Sequence, residues 1–126
     1  MEIEKLLKEN IFRRAKLFID DMGHFAPFCV KIKKGTIIDV VINDDFGEIV
    51  DVKELILNLK RHIKLEFKSD KLEAGAIAYD VTAEFLNSNN EFERRDALCL
   101  LSSQDGVNWQ EEYFPYSVNA GQCFWK

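Results

Sequence analysis

The chain has 126 residues, room for one domain that buries roughly two-thirds of the surface its unfolded chain would expose, and too few for two. Hydrophobic residues make up 47% and charged residues 31%, a globular balance that excludes a disordered chain. The net charge is −5, and the basic pairs Arg13-Arg14, Lys33-Lys34, Lys60-Arg61 and Arg94-Arg95 are scattered among acids, so no nucleic-acid partner is expected.

The opening residues Met1 to Lys5 read as a helix start and not as a signal peptide. No apolar run is long enough to span a bilayer, so no membrane association is expected. The cysteines, Cys29, Cys99 and Cys123, are odd in number and widely spaced. That argues against a disulfide framework and for reduced thiols in a cytoplasm.

In chain order, the first predicted element is a helix from 2 to about 22. Ile3, Leu7, Ile11, Ala15, Phe18 and Met22 recur at spacings of three and four, with Leu6, Phe12 and Ile19 widening the stripe. Gly23 supplies the stop. Phe28 to Ile32 alternates as a strand, Lys34-Gly35 turns, and Thr36 to Ile42 returns, rich in β-branched residues. Asn43 to Glu48 reads as a loop, and Asp51 followed by Glu54 is a variant capping box. A second helix is predicted from about 52 to 68, with Val52, Leu55, Ile56, Leu59, Ile63 and Phe67 on one face.

Three strands follow. From Ala74 to Phe85, Ile77, Tyr79, Val81, Ala83 and Phe85 mark a core face, and Ala76, Ala78, Asp80, Thr82 and Glu84 a more open one. Asp96 to Ser103 is apolar on both faces, which implies a central place in the sheet. Asp105-Gly106 signals a hairpin, and Val107 to Tyr116 is a last main strand that ends or lies at an edge at Pro115. The tail Gln122-Cys123-Phe124-Trp125-Lys126, with its aromatics, is expected to pair or pack. The expected fold is a single α+β domain over 1–126: an antiparallel sheet of about five strands with two helices on one face, in the order α-β-β-α-β-β-β. That arrangement would leave the other sheet face partly bare.

Three stretches, Phe25-Ala26-Pro27-Phe28, Ala76-Ile77-Ala78-Tyr79-Asp80-Val81 and Phe114-Pro115-Tyr116, resemble in order and spacing a group of small uncharacterised bacterial single-domain proteins of unknown function. The resemblance implies a bacterial cytoplasmic protein with a similar fold, and no activity or catalytic residue.

The chemistry-bearing residues form no catalytic signature. There is no C-x-x-C, H-E-x-x-H, G-x-S-x-G or phosphate-binding glycine loop, so no catalytic residue, metal ligand or cofactor is assigned. His24 and Cys29 are close enough in sequence to form a thiol–imidazole pair if the fold brings them together, while Asp44, Asp45 and Glu48 crowd one loop. His62 at a helix flank and Cys99 inside an apolar strand read as packing residues. Asp80 and Glu84 share a strand face and, with Thr82, mark a candidate binding surface. Trp109 and Tyr113 share a face of the last main strand, opposite to Phe114 and Tyr116, and are of the type enriched at interfaces.

The leading expectation is a non-enzymatic interaction module, adaptor or immunity-like, whose open sheet face binds a protein or a second copy through Asp80, Thr82, Glu84, Trp109 and Tyr113. The alternative is a small-molecule binder or unrecognised enzyme with a pocket between helices and sheet, tested first at His24, Cys29, Asp80 and Glu84.

Overall fold

In a computed structural model of the chain, residues 2–40, 52–69 and 72–125 are described. They form α1 (Glu2–Met22), β1 (Phe28–Lys33), β2 (Thr36–Val40), α2 (Val52–Ser69), β3 (Leu72–Leu86), β4 (Phe92–Ser103), β5 (Gln110–Asn119) and β6 (Gln122–Trp125). The α+β class and the element order are as expected. The described strands make one antiparallel sheet of six, in spatial order β2-β1-β3-β4-β5-β6, one strand more than the pattern suggested. The predicted loop 43–48, the cap at Asp51 and the helix end at Asp70-Lys71 lie outside the described residues.

Local chemistry sets the boundaries. Gly23 takes φ +83° and donates its N–H to the Ile19 carbonyl at 2.7 Å, closing α1 as a left-handed cap does. Lys34 and Gly35 both have positive φ, the two-residue turn whose twist matches paired strands. The sixth strand, formed by the tail that was expected to pair or pack, follows from a second such turn, with Ala120 at φ 53° and Gly121 at φ 76°. Alanine seldom adopts that conformation, which is why the turn carried little signal.

The expectation of both helices on one face is overturned. Alternate residues of a strand face opposite sides of the sheet. On β3, Ala74, Ala76 and Ala78 are buried with Leu7, Ile11, Ala15 and Ile19 of α1. Ile77, of the other parity, is buried with Leu55, Leu59 and Ile63 of α2. The helices therefore lie on opposite faces. The reason is the central strands themselves: β4 is apolar on both parities, and so is the first half of β3, and such strands need cover on both sides. Ala76 and Ala78 belong to a packed face, not an open one. Their small side chains read weakly as core, yet leave α1 room to come close.

The buried stripe of α1 runs along Leu7, Ile11, Ala15 and Ile19, while Phe18 and Met22 stay exposed. On α2, full burial of Leu55, Leu59 and Ile63 contributes on the order of 1.5–3 kcal/mol for each side chain. Close approach of α2 to β3 depends on Gly75, where an added Cβ would lie 2.8 Å from Ile63 Cγ2.

Pro115 does not end β5. It pairs with Ala97 inside the strand. Cys123 points its amide away from β5, toward Asp20, so Val118 and Cys123 form a non-hydrogen-bonded pair. By alternation, Pro115 directs its nitrogen to the β6 side, where the described pairing has already stopped at Tyr116–Trp125. The missing N–H takes nothing from the β4 ladder.

The outer edge of β6 is held by α1. The Asp20 carboxylate accepts the Cys123 N–H at 2.6 Å, and Lys16 Nζ donates to the Cys123 carbonyl at 3.3 Å. Two helix side chains thus occupy the groups through which an edge strand recruits a further strand.

Candidate functional site

Beyond the core the structure presents a cleft at one end of the sheet and an aromatic strip on the α2-side face. The cleft lies between the first turns of α1 and the β4–β5 turn and has a volume of about 270 Å³. Its apolar contacts are Leu7 and Trp109; its polar ones include Ser102, Gln104, Asn108 and Gln110.

The turn that walls the cleft is fixed by its own side chains. Asp105 accepts the N–H groups of Val107 at 2.8 Å and Asn108 at 2.7 Å, the Asn108 carboxamide at 2.7 Å and the Ser103 hydroxyl at 3.1 Å. Ser103 Oγ in turn accepts the N–H of Gly106 at 2.8 Å. The backbone donors from Asn108 and Val107, then the Asn108 carboxamide, hold the Asp105 carboxyl far below the usual carboxylate range. Gly106, at φ +79°, packs directly on α2, since a Cβ there would be 2.8 Å from the Phe67 ring. The predicted Asp105-Gly106 turn is thus a rigid plug joining β4, β5 and α2.

On the α2-side face, α2 covers Cys29, Ile77, Cys99 and Leu101. Trp109 sits at the margin of that cluster, with Lys60 Nζ 5.5 Å above its ring. Further along the same face of β5 and β6 come Tyr113, Pro115 and Phe124. Tyr113 is 44% exposed and Phe124 49%. The Tyr113 hydroxyl donates to Glu111, and that hydrogen bond, together with burial, pushes the phenol up to about 12.

The candidate residues of the sequence divide between the two faces. Trp109 and Tyr113 share the α2 side. Asp80, Thr82 and Glu84 lie on the α1 side, so the five do not form one surface. Asp80 is half-buried and accepts the Tyr116 hydroxyl at 2.8 Å and the Phe25 N–H at 3.3 Å. Burial raises its pKa, opposed by those two donors. Its partners make it a bracket between β3, β5 and the chain after α1. Thr82 Oγ1 donates to Asp96 at 3.4 Å, and Glu84 lies exposed opposite Arg94.

His24 and Cys29 are separated by environment. His24 is exposed, whereas Cys29 is fully buried and burial pushes its thiol up to about 12, leaving no thiolate for an imidazolium to stabilise. The fold therefore does not make the thiol–imidazole pair that their closeness in sequence allowed. Asp44 and Asp45 lie outside the described residues. Cys99 is buried as expected, and all three cysteines are free thiols. His62 Nε2 is 2.5 Å from Glu66, which also accepts from Lys31. Among the described residues no three His, Cys, Asp or Glu side chains gather as metal ligands, and no helix is long and apolar enough to cross a membrane.

Sequence reasoning missed the cleft except for Trp109. Serine, asparagine and glutamine carry no spacing signature, and α1 meets the β4–β5 turn only in the folded chain. The stretches that carried the family resemblance have local roles: Phe25 meets Phe28 edge-on with centroids 5.9 Å apart, Ala76 and Ala78 seat α1, and Tyr116 binds Asp80. No protein-family model, no curated protein and no solved structure matches the chain.

Proposed function

We propose that the chain is a non-enzymatic protein-interaction module that docks a partner protein on the β5–β6 strip of its α2-side face. The observation that carries this reading is the exposure of Tyr113 and Phe124 on strands that α2 leaves uncovered, with Pro115 half-buried between them. Large aromatic side chains on a rigid sheet offer contact area at little conformational cost and are enriched in interface cores. Trp109, Lys60 and Glu111 border the strip and supply the polar rim such a surface uses. Asp80, Thr82 and Glu84 face the other way and take no part.

The test is stoichiometric capture by the tagged chain from a lysate of its own cells, with light scattering of the purified chain alongside. The paired substitution Tyr113→Ala and Phe124→Ala, on a domain shown by circular dichroism to stay folded, abolishes capture or halves the mass of a self-associated pair. Capture unaltered by the pair, or a lone monomer that captures nothing, refutes the strip as a docking surface. A dimer lost with the pair identifies a second copy as the partner.

A further inference from the structure

We propose that the cleft between α1 and the β4–β5 turn binds a small, uncharged, polyhydroxylated molecule of monosaccharide size. Three properties of the cleft point there. Its volume of about 270 Å³ falls just under the range of roughly 300–1,000 Å³ for drug-sized ligands, which suits a single sugar ring. Its free polar groups are neutral and both donate and accept: the Ser102 hydroxyl and the Gln104 and Gln110 carboxamides make no side-chain hydrogen bond among the described residues. A carboxamide can pair with two neighbouring hydroxyls at once, giving one and receiving one. Third, the lining includes the half-buried Trp109 and the buried Leu7, apolar neighbours of the kind on which the C–H face of a sugar ring packs.

Charge excludes the commoner alternative. No lysine or arginine is among the described residues lining the cleft, while Glu4 and Asp105 are. Both carboxylates are already engaged, Glu4 with Lys8 at 3.2 Å and Asp105 with the donors of its own turn. Neither invites a cation, and both repel a phosphate. The Asp105 network fixes the turn before any ligand arrives, so little ordering is lost on binding. This site is separate from the β5–β6 strip, and its fate does not decide the reading given there.

The test is an NMR titration of the full chain with D-glucose, D-ribose and myo-inositol, and with D-glucose 6-phosphate as the anionic counterpart. The side-chain amide signals of Gln104, Asn108 and Gln110 report the place of binding. The expected result is saturable binding of a neutral probe that moves those signals. Gln110→Ala weakens it at least tenfold, Tyr113→Ala leaves it unchanged, and the phosphate ester binds at least tenfold more weakly. Absence of binding by all three neutral probes overturns the proposal. So does affinity unaffected by both Gln110→Ala and Ser102→Ala, or a phosphate ester that binds as tightly as the neutral sugar. If Gln110→Ala alters the fold, Ser102→Ala carries the comparison.

Discussion

Replacing Gly75 by alanine tests the packing of α2 on the sheet. The new Cβ would stand 2.8 Å from Ile63 Cγ2 and 3.3 Å from its Cδ1, where an ordinary carbon–carbon contact is about 3.5–4.0 Å. Ile63 is fully buried, so its side chain has no solvent to move into, and α2 must shift by several tenths of an ångström. Overpacking of this kind costs about 1–3 kcal/mol. Removing a glycine from a strand returns about 0.5–1 kcal/mol, and no left-handed backbone is at stake at this position. The expected net loss is about 1–2 kcal/mol, read as a lower urea midpoint at unchanged slope and a Tm lowered by several degrees. A double-mutant cycle sharpens the test. Ile63→Ala alone leaves a cavity and costs about 2–5 kcal/mol. In the Gly75→Ala background it costs less, because the added methyl partly fills that space. A Gly75→Ala domain as stable as the parent, or two substitutions whose costs add, would refute the close approach of α2 to β3.

Further outcomes follow from the same structure. Gly106→Ala combines a positive φ with a Cβ 2.8 Å from Phe67 and 3.1 Å from the Lys64 backbone, so its urea-measured loss exceeds that of Gly75→Ala. Asp80→Ala leaves the buried Tyr116 hydroxyl and the Phe25 N–H without their acceptor and costs about 1–3 kcal/mol. Asp80→Asn keeps an acceptor and removes a carboxylate whose pKa burial raises. The wild-type carboxyl favours the fold most below its ordinary value of 3.8 and loses that contribution as pH rises through its folded value, so Asp80→Asn is at least as stable as the parent near neutrality. Asp20 behaves oppositely: the Cys123 N–H and Lys16 lower its pKa, so its contribution is present above 3.8 and disappears as pH falls through the folded value. As pH falls below about 3.8, the protection of β6 amides relative to their intrinsic exchange rates decreases in the parent, and Asp20→Asn flattens that dependence.

What the chain order disclosed and what it concealed separate along physical lines. Helix and strand periodicity, the Gly23 stop and the Lys34-Gly35 and Asp105-Gly106 turns are local properties, and each stands in the structure near the residues that signalled it, except that the last main strand, expected over Val107 to Tyr116, runs from Gln110 to Asn119 because the Asp105 turn holds Val107 and Asn108. The central place of β4 was likewise legible, because five consecutive apolar residues from Ala97 to Leu101 can be satisfied only by neighbours on both sides and cover on both faces. Where the helices go was not legible. An amphipathic stripe says that a face is buried and not against which side of a sheet, and the alanines that seat α1 are too small to announce a core. The same limit applies to the surface: that Trp109 and Tyr113 share a strand face is a matter of parity, but their separation from Asp80, Thr82 and Glu84 by the thickness of the sheet depends on which residues each helix covers. The cleft belongs to tertiary structure altogether, because Leu7 and Gln110 lie far apart in the chain and become neighbours only when α1 packs across the ends of β4 and β5.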